Sequence, residues 1–213
     1  MKTKAIFKDT QKALDEERIK EQKLKNIIGF CFHSGQKIEN FARRCLKKNK
    51  TRWMLNRLQW FVELADFQKY NSVKTFFLVA MAETNIKLLE DRFKDNADEV
   101  ADVKKFFEKF SKQDKDKLRK YFFKTDKFLN KKTFKFNKVV DVLLNVRHRV
   151  VHGKNHYGFR FHDGSDNLTN IIFGEIGTKK KKKNIRYELE ITYKQFREMM
   201  VKNAVENIRG VLK

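Results

Sequence analysis

Apolar residues recur at helical spacing through most of the chain and change to strict alternation in one stretch near its end. Residues 1–28 set acids ahead of bases at helical spacing in DEERIKEQKLK, which predicts a solvated helix, an arm or extension. A break bounded by Gly29 and Gly35 follows. Ser34 is placed to cap the next helix, QKIENFARRCLKKNK, whose Ile38, Phe41, Ala42 and Cys45 share a face. From Thr51, RWMLNRLQWFVELADF sets Trp53, Leu55, Leu58, Trp60, Phe61 and Leu64 at mixed helical spacing. NSVKTFFLVAMAETNIKLLEDRF comes next, with Phe76, Phe77, Val79, Ala80, Ile86 and Leu89. Its middle is apolar nearly all round, which predicts a buried central helix. VADVKKFFEKF and KDKLRKYFFKTDKFLN read as shorter amphipathic helices. The second interleaves Lys with aromatics. That pattern suits either a helix with one buried face or base stacking, and the first is the commoner cause.

KTFKFNKVVDVLLNVRHRVVHG predicts another helix, closed by Gly153. With Leu143 as the centre of its buried face, Phe136, Val139, Val140, Val146 and Val150 fall within about 60°. Arg147 lies about 40° from that centre, a guanidinium inside an apolar stripe. Beyond Gly153, YGFRFH and NIRYELEITY alternate and NIIFGEI is a short apolar run, which predicts two or three short strands. DGSDN and GTKKKKKN join them. KQFREMMVKNAVENIRGVLK closes the chain as an amphipathic helix with Phe196, Met199, Met200, Val205, Ile208 and Leu212 on its apolar face. There is no internal repeat. The expected fold class is therefore mainly α, a helical bundle with a small antiparallel β insertion near the C-terminus. The chain divides into a helical extension (1–50), a helical core (51–153), and the insertion with its closing helix (154–213), together one compact domain.

Composition narrows the function classes. The 213 residues include 21 Phe and no Pro, enough for a real core and against a turn-rich β sandwich. Fifty Lys and Arg face 27 Asp and Glu, a net charge of +23 at pH 7. Such a surface attracts polyanions, RNA among them. The basic candidates for phosphate contact are Arg149, Lys154 and the run Lys179, Lys180, Lys181, Lys182 and Lys183, the run serving equally well as a solvated turn tip. Cys31 and Cys45 show no metal-ligand spacing, which predicts two reduced thiols. Ligand sets built from Cys31, His33 and Cys45, or from His156 and His162, do not reach a convincing count. The longest apolar run, FFLVAMA, is too short to span a bilayer, and the charged N-terminus lacks a signal core. A cytoplasmic protein without membrane contact is expected. Phosphate-cradling glycine loops and hydrolase signatures are missing, and no cofactor is expected.

The chemistry concentrates in RHRVVH. A guanidinium cannot shed its charge, so Arg147 needs a carboxylate, a phosphate or a wet interface. An internal acid such as Asp141 or Glu83 would serve, and so would a stem that reaches outward. His152, at the helix end, is favoured there as a cation by the dipole. The two residues also suit RNA cleavage. A histidine titrates near neutral pH and can move a proton, and an arginine stabilises charge on a phosphorane. RNA supplies its own nucleophile in the 2′-hydroxyl, so neither a metal nor a protein nucleophile is required.

The stretch Arg147-His148-Arg149-Val150-Val151-His152 resembles the HEPN superfamily signature, Arg-polar-x-x-x-His, on a late helix of an α-helical bundle. The resemblance covers residues 71–153. It implies a metal-independent endoribonuclease with His152 as general acid/base, Arg147 as stabiliser of the phosphate and transition state, and His148 as an orienting group. It further implies a homodimer whose motif helices face each other, with two Arg–His pairs in one composite site. By analogy it suggests a toxin or phage-defence effector of abortive infection, with an antitoxin or sensor as partner. One toxin branch carries a tyrosine two residues beyond the histidine, where this chain has Lys154, so control by modification of that tyrosine is not implied. The rival readings are an RNA-binding HEPN module without catalysis, and a structural or interaction protein in which Arg147 is paired internally.

Overall fold

Helices dominate the chain. The structure, a computed structural model, describes residues 22–92, 99–120, 122–125, 131–133, 135–152, 159–160, 172–175, 186–189 and 191–213. In the strands, and at residues 72, 145, 146 and 148–152, it describes the backbone alone. The helices are α1 (22–28), α2 (Gly35–Leu46), α3 (Asn49–Phe67), α4 (Asn71–Leu89), α5 (Glu99–Glu108), α6 (Lys112–Lys120), α7 (Phe136–His152) and α8 (Tyr193–Leu212). The strands are β1 (Phe122–Thr125), β2 (Lys131–Thr133), β3 (Phe159–Arg160), β4 (Ile172–Glu175) and β5 (Arg186–Leu189).

Helix α4 is the central pillar, packed against α3, α5, α7 and α8. Leu78, Val79, Met81, Ala82, Ile86 and Leu88 are all buried on it, as expected of a helix apolar round most of its circumference. Its C-terminal turn is followed by Asp91 at φ 56°, a left-handed residue of a type that tolerates this conformation. Helix α8 lies across the pillar. Thr192 and Gln195 form a reciprocal capping box at its N-terminus, and Phe196, Met199, Met200, Val205, Ile208 and Leu212 are buried as their spacing predicts. Ser34 caps α2 by accepting from the Lys37 amide at 3.4 Å.

The buried apolar side chains from Leu24 to Leu212 form one cluster. Its membership corrects the view of the N-terminal segment as an arm. Leu24, Ile27 and Ile28 are buried, so the end of that charged helix belongs to the core. Three apolar side chains on one face suffice for this, whatever charge the other faces carry.

A second correction concerns KDKLRKYFFKTDKFLN. The helix stops at Lys120 and the chain becomes strand at Phe122. Among the nine residues of α6 only Leu118 is buried, so little apolar burial draws the helix onward. Strand β1 instead finds backbone partners on both sides, β2 and β5, each antiparallel. The described strands form a sheet of order β2-β1-β5-β4-β3, so residues before α7 share it with residues after α7. Long-range pairing overrode here the helical reading that local periodicity gave.

The structure also decides which side of α3 is buried. Trp53 and Trp60 do not join the core: they are 47% and 46% exposed. The buried positions are Thr51, Met54, Leu55, Leu58, Val62 and Ala65. No helix among the described residues is long and apolar enough to cross a membrane.

Buried amides tie α8 to its neighbours. Asn207 donates to the Asn85 side-chain oxygen at 2.7 Å, and Asn203 donates to the Phe106 carbonyl at 2.8 Å. Asn85 and Asn207 are 3% and 9% exposed. Asn207→Ala would leave the Asn85 oxygen without its donor, so an expected loss of about 1–3 kcal/mol follows in urea unfolding. A loss below about 0.5 kcal/mol would show that the bond is not holding α8 to α4.

Candidate active site at the end of α7

Helix α7 brings its apolar face, with Val139, Val140, Val142, Leu143 and Leu144 all buried, against α4 and α5. Arg147 lies on the same helix, one turn beyond Leu143, and its side chain is 17% exposed. Its guanidinium Nη2 donates to Glu83 Oε2 at 2.6 Å and lies 2.7 Å from Glu99 Oε2. Glu83 belongs to α4 and Glu99 to the first turn of α5. The Glu83 side chain is 10% exposed, whereas Glu99 is half exposed at 50%. Lys87, one turn along α4, donates to the other Glu83 oxygen at 2.7 Å. Glu83 is thus a buried carboxylate bridged by two cations from two helices. Two cations and two carboxylates balance, which is how a charge set of this size can be accommodated beside a core. One donor is left over: Arg147 Nε is buried and has no hydrogen-bond partner among the described residues.

Of the two internal acids that the sequence offered to Arg147, the structure uses Glu83. Asp141 lies 3.4 Å from Lys104. Glu99 was not foreseen. Its only sequence signal is its place among the acids before an apolar helix, VADVKKFF, and such acids are normally read as helix-dipole complements.

His148, Arg149 and His152 lie in the helical backbone of α7, and their side chains fall outside the described residues. Gly153, the expected helix cap, Lys154 and the run Lys179 to Lys183 also fall outside them. Helix geometry still constrains the pair. Residues five apart are separated by about 140° around the axis and about 7.5 Å along it.

Among the described residues no three His, Cys, Asp or Glu are grouped so as to hold a metal ion. His156 and His162 lie outside those residues. Cys31 and Cys45 are free thiols, Cys45 fully buried. Burial pushes the Cys45 thiol up to about 12 and the Cys31 thiol up to about 11. Since the thiolate is the reactive form, Cys45 is expected to resist a disulfide reagent in the native protein at neutral pH and to react fully in denaturant. Rapid native modification of Cys45 would contradict its burial. The raised value also has a sign. Its contribution to stability is full below the unperturbed 9.0 and is lost as pH climbs through about 12.

No protein-family model, no curated protein and no solved structure matches this chain.

Proposed function

We propose that this chain is a metal-independent endoribonuclease of the HEPN type, in a bundle whose β strands form an insertion beside the motif helix. Cleavage proceeds by attack of the RNA 2′-hydroxyl at a composite site of a homodimer. His152 takes and returns the proton, Arg147 neutralises the phosphorane and His148 orients the scissile phosphate. The observation that carries this reading is Arg147 itself. It stands five residues before His152 on one helix, held by Glu83 and Glu99 yet with a buried Nε–H unmatched among the described residues. A positioned guanidinium with a spare donor suits a group kept for another acceptor. Glu99 is half exposed, and a phosphate can displace it without uncovering Glu83. The net charge of +23 favours RNA as the partner, and Arg149, Lys154 and Lys179 to Lys183 would supply further phosphate contacts. A toxin or phage-defence role, with an antitoxin or sensor protein restraining it, extends the same analogy.

The same ion-pair set favours a second reading. With both carboxylates in place Arg147 is neutralised, as in a structural lock, and the chain would be an interaction protein or a non-catalytic RNA-binding module. An RNA cleavage assay in EDTA separates the two. The nuclease reading expects products ending in cyclic phosphate. Intact RNA with the purified, folded dimer would move the chain to the second reading.

A further inference from the structure

The outer face of α3 is out of character for a charged protein. Trp53, Trp60 and Phe67 are 47%, 46% and 88% exposed and fall seven residues apart, so they stand on one side of the helix, each about 10 Å from the next. Arg57 and Leu64 lie between them on the same face. Tyr70, just past the helix end, is 51% exposed. Beside the first ring is a cleft of about 260 Å³ between α3 and α4, lined by Trp53, Arg57, Phe61, Thr84, Lys87 and Leu88. Its lining combines aromatic and aliphatic side chains with the polar groups of Arg57, Thr84 and Lys87.

Charge decides what fits this face. The Arg57 guanidinium sits over the Trp60 ring at 5.3 Å and forms no ion pair among the described residues. Lys69 lies 5.9 Å from the Tyr70 ring centre, likewise without a carboxylate partner there. The Arg52 guanidinium bonds only the Asn49 amide oxygen among the described residues. Both acids of α3 are engaged elsewhere. Glu63 accepts from Gln59 and lies 3.9 Å from Lys23, and Asp66 is held by Arg197 and Tyr193. The stripe therefore offers flat rings and unneutralised cations, with its carboxylates turned to other partners. A second copy of this strongly basic chain would bring like charges together on this face. A polyanion with unstacked planar bases would complement both features.

We infer that the α3 stripe is a stacking platform for single-stranded nucleic acid. The bases lie on Trp53, Trp60 and Phe67, one base enters the α3–α4 cleft, and Arg57 and Lys69 meet phosphates. Of the earlier reading, this shares only the class of ligand. It stands whether or not the chain cleaves RNA, because a platform of this kind is indifferent to the 2′-hydroxyl.

The chain has two tryptophans, and both lie on this face, so their emission reports on it directly. The experiment titrates the full chain with short oligothymidine, which lacks the 2′-hydroxyl and cannot be cut by its attack. The same strand as a duplex is the comparison. Tryptophan quenching by the single strand is expected, with much weaker quenching by the duplex. Affinity measured by anisotropy is expected to fall about tenfold in Trp60→Ala and in Phe67→Ala, and to be largely kept in Trp60→Phe. Both sites are on the surface, and the circular dichroism of each variant checks its fold. Binding without quenching, or with unchanged affinity in both alanine variants, would overturn the proposal and place the nucleic acid elsewhere. Loss of a dimer in sedimentation by Trp60→Ala, with no effect on oligothymidine affinity, would overturn it in favour of a second copy.

Discussion

Arg147→Met is expected to destabilise the fold by about 3–5 kcal/mol. The substitution keeps most of the side-chain volume and removes one of the two cations that bridge Glu83, a carboxylate only 10% exposed. Glu99, half exposed, can return to water, but Glu83 cannot. Lys87 remains, so the loss is expected toward the lower end of that range. The double variant Glu83→Gln, Arg147→Met removes the stranded charge and is expected to recover much of the stability. The cycle should then give a coupling above about 1 kcal/mol. Equal losses in single and double variants would show that Glu83 does not depend on Arg147. This measurement also governs how an inactive Arg147 variant is interpreted. Arg147→Lys keeps a cation and loses the planar fork, so it tests transition-state contact with less risk to the fold.

His152→Ala is expected to lower RNA cleavage about 10²–10⁴-fold in EDTA, with unchanged oligonucleotide affinity. That range is what a positioned acid/base contributes, and affinity is spared because phosphate contacts come mainly from Arg and Lys. Cleavage by the variant at the wild-type rate would sink the assigned role of His152. A mixing experiment then tests the composite site. Inactive Arg147→Lys and His152→Ala chains, allowed to exchange subunits, would form heterodimers whose composite site holds one native Arg147 and one native His152. Partial recovery is expected if the working pair is drawn from different copies. A site contained in one copy would recover nothing.

How far local sequence reached is clearest in α8 and α3. In α8, an apolar stripe at helical spacing led to the right helix and the right buried face, and the capping box of Thr192 and Gln195 starts that helix where the stripe begins. In α3, apolar residues are spread over too much of the circumference for periodicity to choose a face. Periodicity therefore left Trp53 and Trp60 on no particular side, and the packed helices took Met54, Leu58 and Val62 inward. The stretch after Lys120 failed for a different reason. Phe122 and Phe123 suit a helix or a strand, and the hydrogen-bonding partner that settled the matter is β5, more than sixty residues later.

The site divides along the same line. Sequence alone determined that a late helix carries Arg147 within an apolar stripe, five residues before His152, on a chain of net charge +23. It also determined that this guanidinium must find an anion, because it cannot be neutral. Only the tertiary structure decided which anions. Glu83 and Glu99 lie 64 and 48 positions away in the chain and reach Arg147 because α4 and α5 pack against α7. Charge and period are local properties that residues carry with them. Pairing depends on which helices meet, and that is set by the burial of the whole core.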